Sequence, residues 1–408
     1  MPFRLSLFGI ITFFVLILGG AFVSAQTTTD FTPWKDAKNA EDVFDWARVM
    51  LNRDFRNVTG VVREELLAKT LAALVEITSD FDIVPSTRYN AILAIGQLEA
   101  SSGNQPIAYP AALEFLVDVY QQADSPYYLK YGALLGIVRH AILGIGSAQR
   151  DKVADLLLET VVSEFVAARG DVLEPAVWNW FRQTALDGLS AMKTIGPNGS
   201  VLSTLLLVID RKSQELESLY DNQDVFTRET WKQTCETIEL ASKTVKTLGD
   251  LDYQSASDLD TKTITSLVIR LTRAVCDVMH KMVVDSVELD KTTPEPAIVR
   301  ERVVINVKIC TQSVVWGIRS SFITINKPGD HSFYVSLKSD DPSVKRLDSL
   351  MAEIRKLSDF FDEGDKAKQT IAIPNMPKTF KFDLPELQDA LKKCSDALMA
   401  IQESEFSL

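Results

Sequence analysis

The chain has 408 residues, of which 46% are hydrophobic and 24% charged, and its 43 Lys plus Arg against 55 Asp plus Glu give a net charge of -12. That apolar share is enough to bury a core, and 18 Gly and 15 Pro scattered without tracts exclude a fibrous or low-complexity chain. Polyanions are held by Lys and Arg that replace counterions, so an acidic chain with no strongly basic local face is not expected to bind nucleic acid.

The first element is a leader. Arg4 precedes an uncharged run from Leu5 to Val23, and no charge returns until Asp30. A basic start, an apolar stretch weakened by Gly19 and Gly20, and the small residues Val23, Ser24 and Ala25 predict a signal peptide over 1–25, cleaved after Ala25. The competing reading is a retained anchor, because 19 residues at about 1.5 Å each approach the roughly 30 Å thickness of hydrocarbon. Both readings place the remainder outside the cytoplasm, secreted, periplasmic or in the cell envelope. Cleavage removes Arg4 and no acid, moving the charge from -12 to -13. No second run of this kind follows, so no membrane span is expected after cleavage.

Residues 26–60 read as an N-terminal segment with a capping helix at about 40–52, started by Asn39 and carrying Val43, Phe44, Ala47, Met50 and Leu51 on one face. A repeat occupies 61–210. RYNAILAIGQL begins at Arg88, KYGALLGIVRH at Lys130 and RQTALDGLSAM at Arg182. Each has a cation, then Ala three residues on (Ala91, Ala133, Ala185), then Ile92, Leu134 or Leu186, with Pro85, Pro126 or Pro175 just upstream. A second amphipathic helix precedes each, at 66–77, 111–122 and 152–166, and the units are spaced by 42 and 52 residues. Proline suits the first turn of a helix, and small Ala and Gly let helices approach closely. The cations are expected on the helix surface.

This pattern resembles the HEAT-like or armadillo-like α-solenoid repeat. The resemblance covers about residues 61–210 and implies stacked helical hairpins that present a concave surface to a protein partner. Tentative partner-binding residues are then Arg88, Lys130, Arg182 and Trp180, the last because Trp178 and Phe181 share a helical face toward the core and leave Trp180 outward.

Residues 211–325 predict long helices at about 226–248, 258–288 and 295–322, a bundle packed against the solenoid. The C-terminal segment, 326–408, carries a turn at Lys327-Pro328-Gly329-Asp330, a short strand in SFYVSL near 332–337, and helices at about 343–361 and 384–403. The fold class expected is all-α, with that one small irregular or β excursion.

Cys235, Cys276, Cys310 and Cys394 all fall in predicted helices; an even count in an oxidising compartment permits disulfides, while small buried hydrophobes explain the same residues. Chemistry is sparse. Cys276 and His280, four apart beside Asp277, supply two ligands of a metal site with no others signposted. Ser190 and Lys193 have the SxxK spacing of an amine-activated serine, without the accompanying SDN-like or KTG-like elements. Gly144-Ile145-Gly146 reads as a helix end rather than a dinucleotide loop. The acidic groups Asp250, Asp252, Asp258, Asp260 and Asp359, Asp362, Glu363, Asp365 lack EF-hand spacing and read as solvated helix ends. His140 is expected to be partly exposed. No catalytic residue, cofactor or metal follows. The expectation is a non-catalytic scaffold that binds a protein, with a hydrolase site between the solenoid and the C-terminal helices as the alternative.

Overall fold

The computed structural model describes residue 55 and residues 58–101, 106–163, 175–222, 228–254, 260–292, 332–337, 339–369 and 384–403. The leader over 1–25, the capping helix at 40–52, the helix expected at 295–322 and Cys310 lie outside them. The described chain is all-α. Its helices are α1 (Gly60–Ser79), α2 (Pro85–Ile95), α3 (Pro110–Gln121), α4 (Tyr127–Leu143), α5 (Ser147–Val162), α6 (Pro175–Met192), α7 (Ser200–Asn222), α8 (Arg228–Asp250), α9 (Thr261–Thr292), α10 (Phe333–Ser336), α11 (Pro342–Gln369) and α12 (Leu384–Glu403). A two-stranded antiparallel sheet, β1 (Glu99–Ser101) and β2 (Ile107–Ala108), follows α2 and was not expected from the sequence. The strand expected in SFYVSL is instead the single helical turn α10, with Phe333 fully buried against Tyr253 at 5.4 Å between rings. Its apolar and aromatic residues fit a strand, and packing onto the end of α8 overrides that propensity.

Pro85, Pro110 and Pro175 each stand at the first helical position of α2, α3 and α6, where a missing N–H leaves no bond unmade. Gly144 ends α4 with φ +103 and donates its N–H to the His140 carbonyl, a conformation that favours glycine.

Consecutive helices pack as hairpins, α1 with α2, α3 with α4, α5 with α6 and α7 with α8. The second helices also pack in a row, α2 on α4, α4 on α6 and α6 on α8. The contacts recur in one register. Ala91, Ala133 and Ala185, and the Ile92, Leu134 and Leu186 that follow them, are all wholly buried. Gly136 and Gly188 stand six residues after the cations of their units. A Cβ at Gly136 would lie 2.8 Å from Leu116 Cδ1 of its own hairpin and 3.1 Å from the Gly96 Cα of the preceding one. One at Gly188 would lie 2.8 Å from Leu157 Cδ1 and 3.2 Å from Val138 Cγ2, the equivalent pair of positions. Likewise Tyr89 packs against Gly132, and the Tyr131 hydroxyl lies 3.5 Å from that of Thr184.

Six buried hydroxyls bond within their own helices. Thr78, Thr160, Ser213, Ser242, Thr244 and Thr272 each donate to the carbonyl four residues back. Beyond α8 the pattern changes: α9 packs on α7, α11 and α12, and α11 packs on α12. Arg270 of α9 ties this group to α7 through a two-pronged ion pair with Glu217, at 2.6 and 2.8 Å, and a third bond to Asp210 at 2.8 Å.

Candidate functional site

The cations that open the repeat units do not all face solvent. Arg88 is 5% exposed. Its Nε donates to the Thr78 carbonyl in the last turn of α1 at 2.8 Å, Nη1 bonds the Tyr128 hydroxyl of the next hairpin at 3.1 Å, and the Phe81 ring lies 4.3 Å from the guanidinium carbon. Arg182 donates to the Ser163 carbonyl just past α5, and Trp178 Nε1 reaches the same oxygen at 3.3 Å. Helix ends leave carbonyls without an intrahelical donor, so Arg88 and Arg182 each close the first helix of their own hairpin from the second. Lys130 occupies the equivalent place half-buried; burial lowers its pKa below the usual lysine value, and Asp124 partly opposes this. Arg63 does related work earlier, donating to the Ala100, Glu99 and Phe55 carbonyls at 2.8, 2.7 and 2.6 Å. It clasps β1 to α1. The surface placement expected for the cations therefore fails for Arg88, because orphan carbonyls within reach outcompete water for the guanidinium.

Several large apolar side chains face solvent, two at the turn between α1 and α2 and one on α6. Phe81 is 76% exposed, Val84 54% and Trp180 57%. Trp180 is positioned by its neighbours: Trp178 stacks on buried Phe181 at 5.2 Å, Tyr131 packs on Phe181 at 5.1 Å, and Asn179 Nδ2 donates to Glu236 of α8 at 3.3 Å. The inward Trp178 and Phe181 and outward Trp180 match the helical spacing. Phe81 was missed; its signal is an aromatic between Asp80 and Asp82, whose turn is closed by the Asp82 N–H on Asp80 Oδ1 at 2.9 Å.

The catalytic candidates have other partners. Ser190 donates to Asp250 Oδ2 and accepts from Lys246 Nζ at 3.2 Å, while Lys246 and Asp250 are ion-paired at 2.6 Å. Lys193 of the SxxK spacing is exposed and sits at the end of α6 with φ +52, outside this group. An amine that activates serine must accept its proton. Lys246 is instead held against a carboxylate and donates to the hydroxyl, and the trio clasps α6 to α8. The neighbouring Lys243–Asp187 pair at 2.7 Å does the same.

On α9 and α12, Cys276 and Cys394 face each other with sulfurs 3.7 Å apart, Ser395 donates to Asp277, and His280 Nε2 is buried with no partner among the described residues. The hydrogen bond that Cys276 donates to Cys394, and then burial, push its thiol well up and favour the protonated form. Burial raises Asp277 and lowers His280. Among the described residues no group of three or more His, Cys, Asp or Glu is arranged to hold a metal ion. Of the acidic groups, Asp250 is the ion-pair partner above and Asp260 caps α9 through the Thr263 N–H at 2.9 Å and hydroxyl at 2.6 Å. Asp258 and the side chains of Asp362, Glu363 and Asp365 lie outside the described residues.

His140 is fully buried rather than partly exposed, and neither ring nitrogen has a partner among the described residues. Burial, with Arg139 adding to it, lowers its pKa to about 4. No described helix is long and apolar enough to cross a membrane. No protein-family model, curated protein or solved structure matches the chain.

Proposed function

We propose that this protein is an exported, non-catalytic α-solenoid of HEAT-like hairpins that binds a protein partner through its repeat surface, with Trp180 as an anchor. The observation that carries the reading is the recurring register, in which Gly136 and Gly188 make equivalent contacts within their own hairpins and with the one before. Nearest-neighbour stacking of this kind generates an extended face rather than a closed pocket. A half-exposed indole held by a buried aromatic set is the type of group that concentrates binding energy at protein interfaces. The alternative hydrolase reading has less behind it, since Ser190 and Cys276 are engaged in helix-to-helix contacts.

Export and binding are separable. An intact mass beginning at Gln26 supports cleavage of the leader, and one that retains Leu5–Val23 favours the anchor. For binding, chemical crosslinking in the native host should give a discrete protein adduct that Trp180→Ala removes while leaving the circular dichroism spectrum unchanged. An adduct that persists in Trp180→Ala argues against the anchor, and no adduct at all argues against a scaffold.

A further inference from the structure

We propose that Cys276 and Cys394 are a disulfide site that ties α9 covalently to α12. The two residues are 118 apart in sequence, 2% and 4% exposed, and their sulfurs are already in contact at 3.7 Å. Two further side-chain bonds join the same helices beside the pair. Ser395 bonds Asp277, one residue along from each cysteine, and Arg273, one turn before, reaches Gln402 at 3.4 Å. Sulfurs already in contact have little distance left to close to the bond length of about 2 Å. Cys235 lies on another helix, α8, and is only partly buried.

The oxidant required is a disulfide reagent, supplied by exchange. One protein thiolate attacks the reagent's S–S bond to give a mixed disulfide and one reagent thiol; the second protein thiolate displaces the other reagent thiol. Overall two protein S–H bonds and one reagent S–S bond break, and one protein S–S bond and two reagent S–H bonds form. The protein loses two electrons and two protons, and the reagent gains them. Because both sulfurs are buried and the Cys276 thiol is held protonated, exchange proceeds through separation of α12 from α9, so its rate rises with low concentrations of urea. The linkage then closes the loop from 276 to 394, 118 residues apart in sequence. Its stabilisation comes chiefly from restricting the unfolded chain.

The test uses the full chain, reduced and then incubated with oxidised glutathione across a urea series, followed by alkylation and non-reducing peptide mapping. The expected product is a Cys276 peptide joined to a Cys394 peptide, lighter than the two thiols by two hydrogens. The Cys235→Ser/Cys310→Ser double variant, which keeps only this pair, should give the same product. Addition of dithiothreitol to the oxidised protein should lower its thermal midpoint, and should not lower that of Cys394→Ser. The proposal is overturned if Cys276 and Cys394 are both recovered alkylated, if either is joined to Cys235 or Cys310 or left as a glutathione adduct, or if the reductant leaves the midpoint where it was.

Discussion

The hairpins α1–α6 and the helices α9, α11 and α12 are both built from buried aliphatic stripes, yet they are held together over different distances in sequence. In the hairpins the ties between neighbouring units reach from 36 to 53 residues, as in Arg63 to Glu99, Arg88 to Tyr128 and Tyr131 to Thr184. In the C-terminal group they span 80 to 129, as in Arg346 to Ser266, Cys276 to Cys394 and Arg273 to Gln402. Short-range ties make each hairpin depend on its neighbours alone, so damage should stay near its origin. Long-range ties make α9 depend on the last helix of the described chain. They also carry more loop entropy to be overcome before the contact forms.

Phe181→Ala breaks the hairpin side most severely. The ring is 1% exposed and meets Tyr120, Tyr131 and Trp178, so its removal should cost about 4 kcal/mol in urea denaturation. Hydrogen exchange should then quicken in α3–α6 and stay slow in α9 and α12; loss across all of them would erase the contrast. Leu391→Ala is the mirror experiment. Leu391 is wholly buried on α12, and a loss of about 3 kcal/mol should appear as faster exchange in α9, α11 and α12 while α2 and α4 keep their protection.

Acid should weaken the hairpin side through His140. Its folded pKa of about 4 is depressed from the ordinary 6.5, so between those values the unfolded chain takes up a proton that the fold excludes. Stability then falls as pH drops from 6.5 toward 4, by about 3 kcal/mol in total. His140→Leu should flatten that part of a denaturation series run against pH, and an unchanged slope would remove His140 from the explanation. Gly136→Ala is a finer test of register, because the added methyl meets Leu116 and Gly96 at 2.8 and 3.1 Å. The expected loss is about 2 kcal/mol, and a neutral result would mean the two hairpins can separate freely. The smallest effect belongs to Lys393→Ala, whose ion pair with Asp389 is formed by side chains 76% and 60% exposed. It should shift the denaturation midpoint by no more than about 0.3 kcal/mol, showing that proximity to α9 alone does not make a residue important.

The contrast also explains what was legible in the sequence. Amphipathic periodicity and the prolines Pro85 and Pro175 located the helices, because those signals act within a few residues. Motif spacing located buried Ala91, Ala133 and Ala185, and helical phase separated Trp180 from Trp178 and Phe181. The sheet of β1 and β2 was not legible, since part of what holds it is Arg63 reaching back from β1 to Phe55. Nor was the turn of α10, where burial of Phe333 against Tyr253 overrides a strand-like composition. Ser190 was singled out with the wrong lysine. Lys193 is three residues away, whereas its actual partner, Lys246, is 56 residues away on α8 and reaches Ser190 only because α6 and α8 pack. Cys276 was paired in sequence with His280, and its sulfur contact came from 118 residues downstream.

The proposed partner surface is marked by the exposed indole at 180. Site-specific photocrosslinking decides it most directly, with a benzophenone side chain placed at Trp180 and, as the control, at exposed Lys393 on α12. Irradiation in the native host should give one discrete adduct from position 180 and none from position 393. No adduct at 180, or the same adducts from both positions, would contradict the proposal.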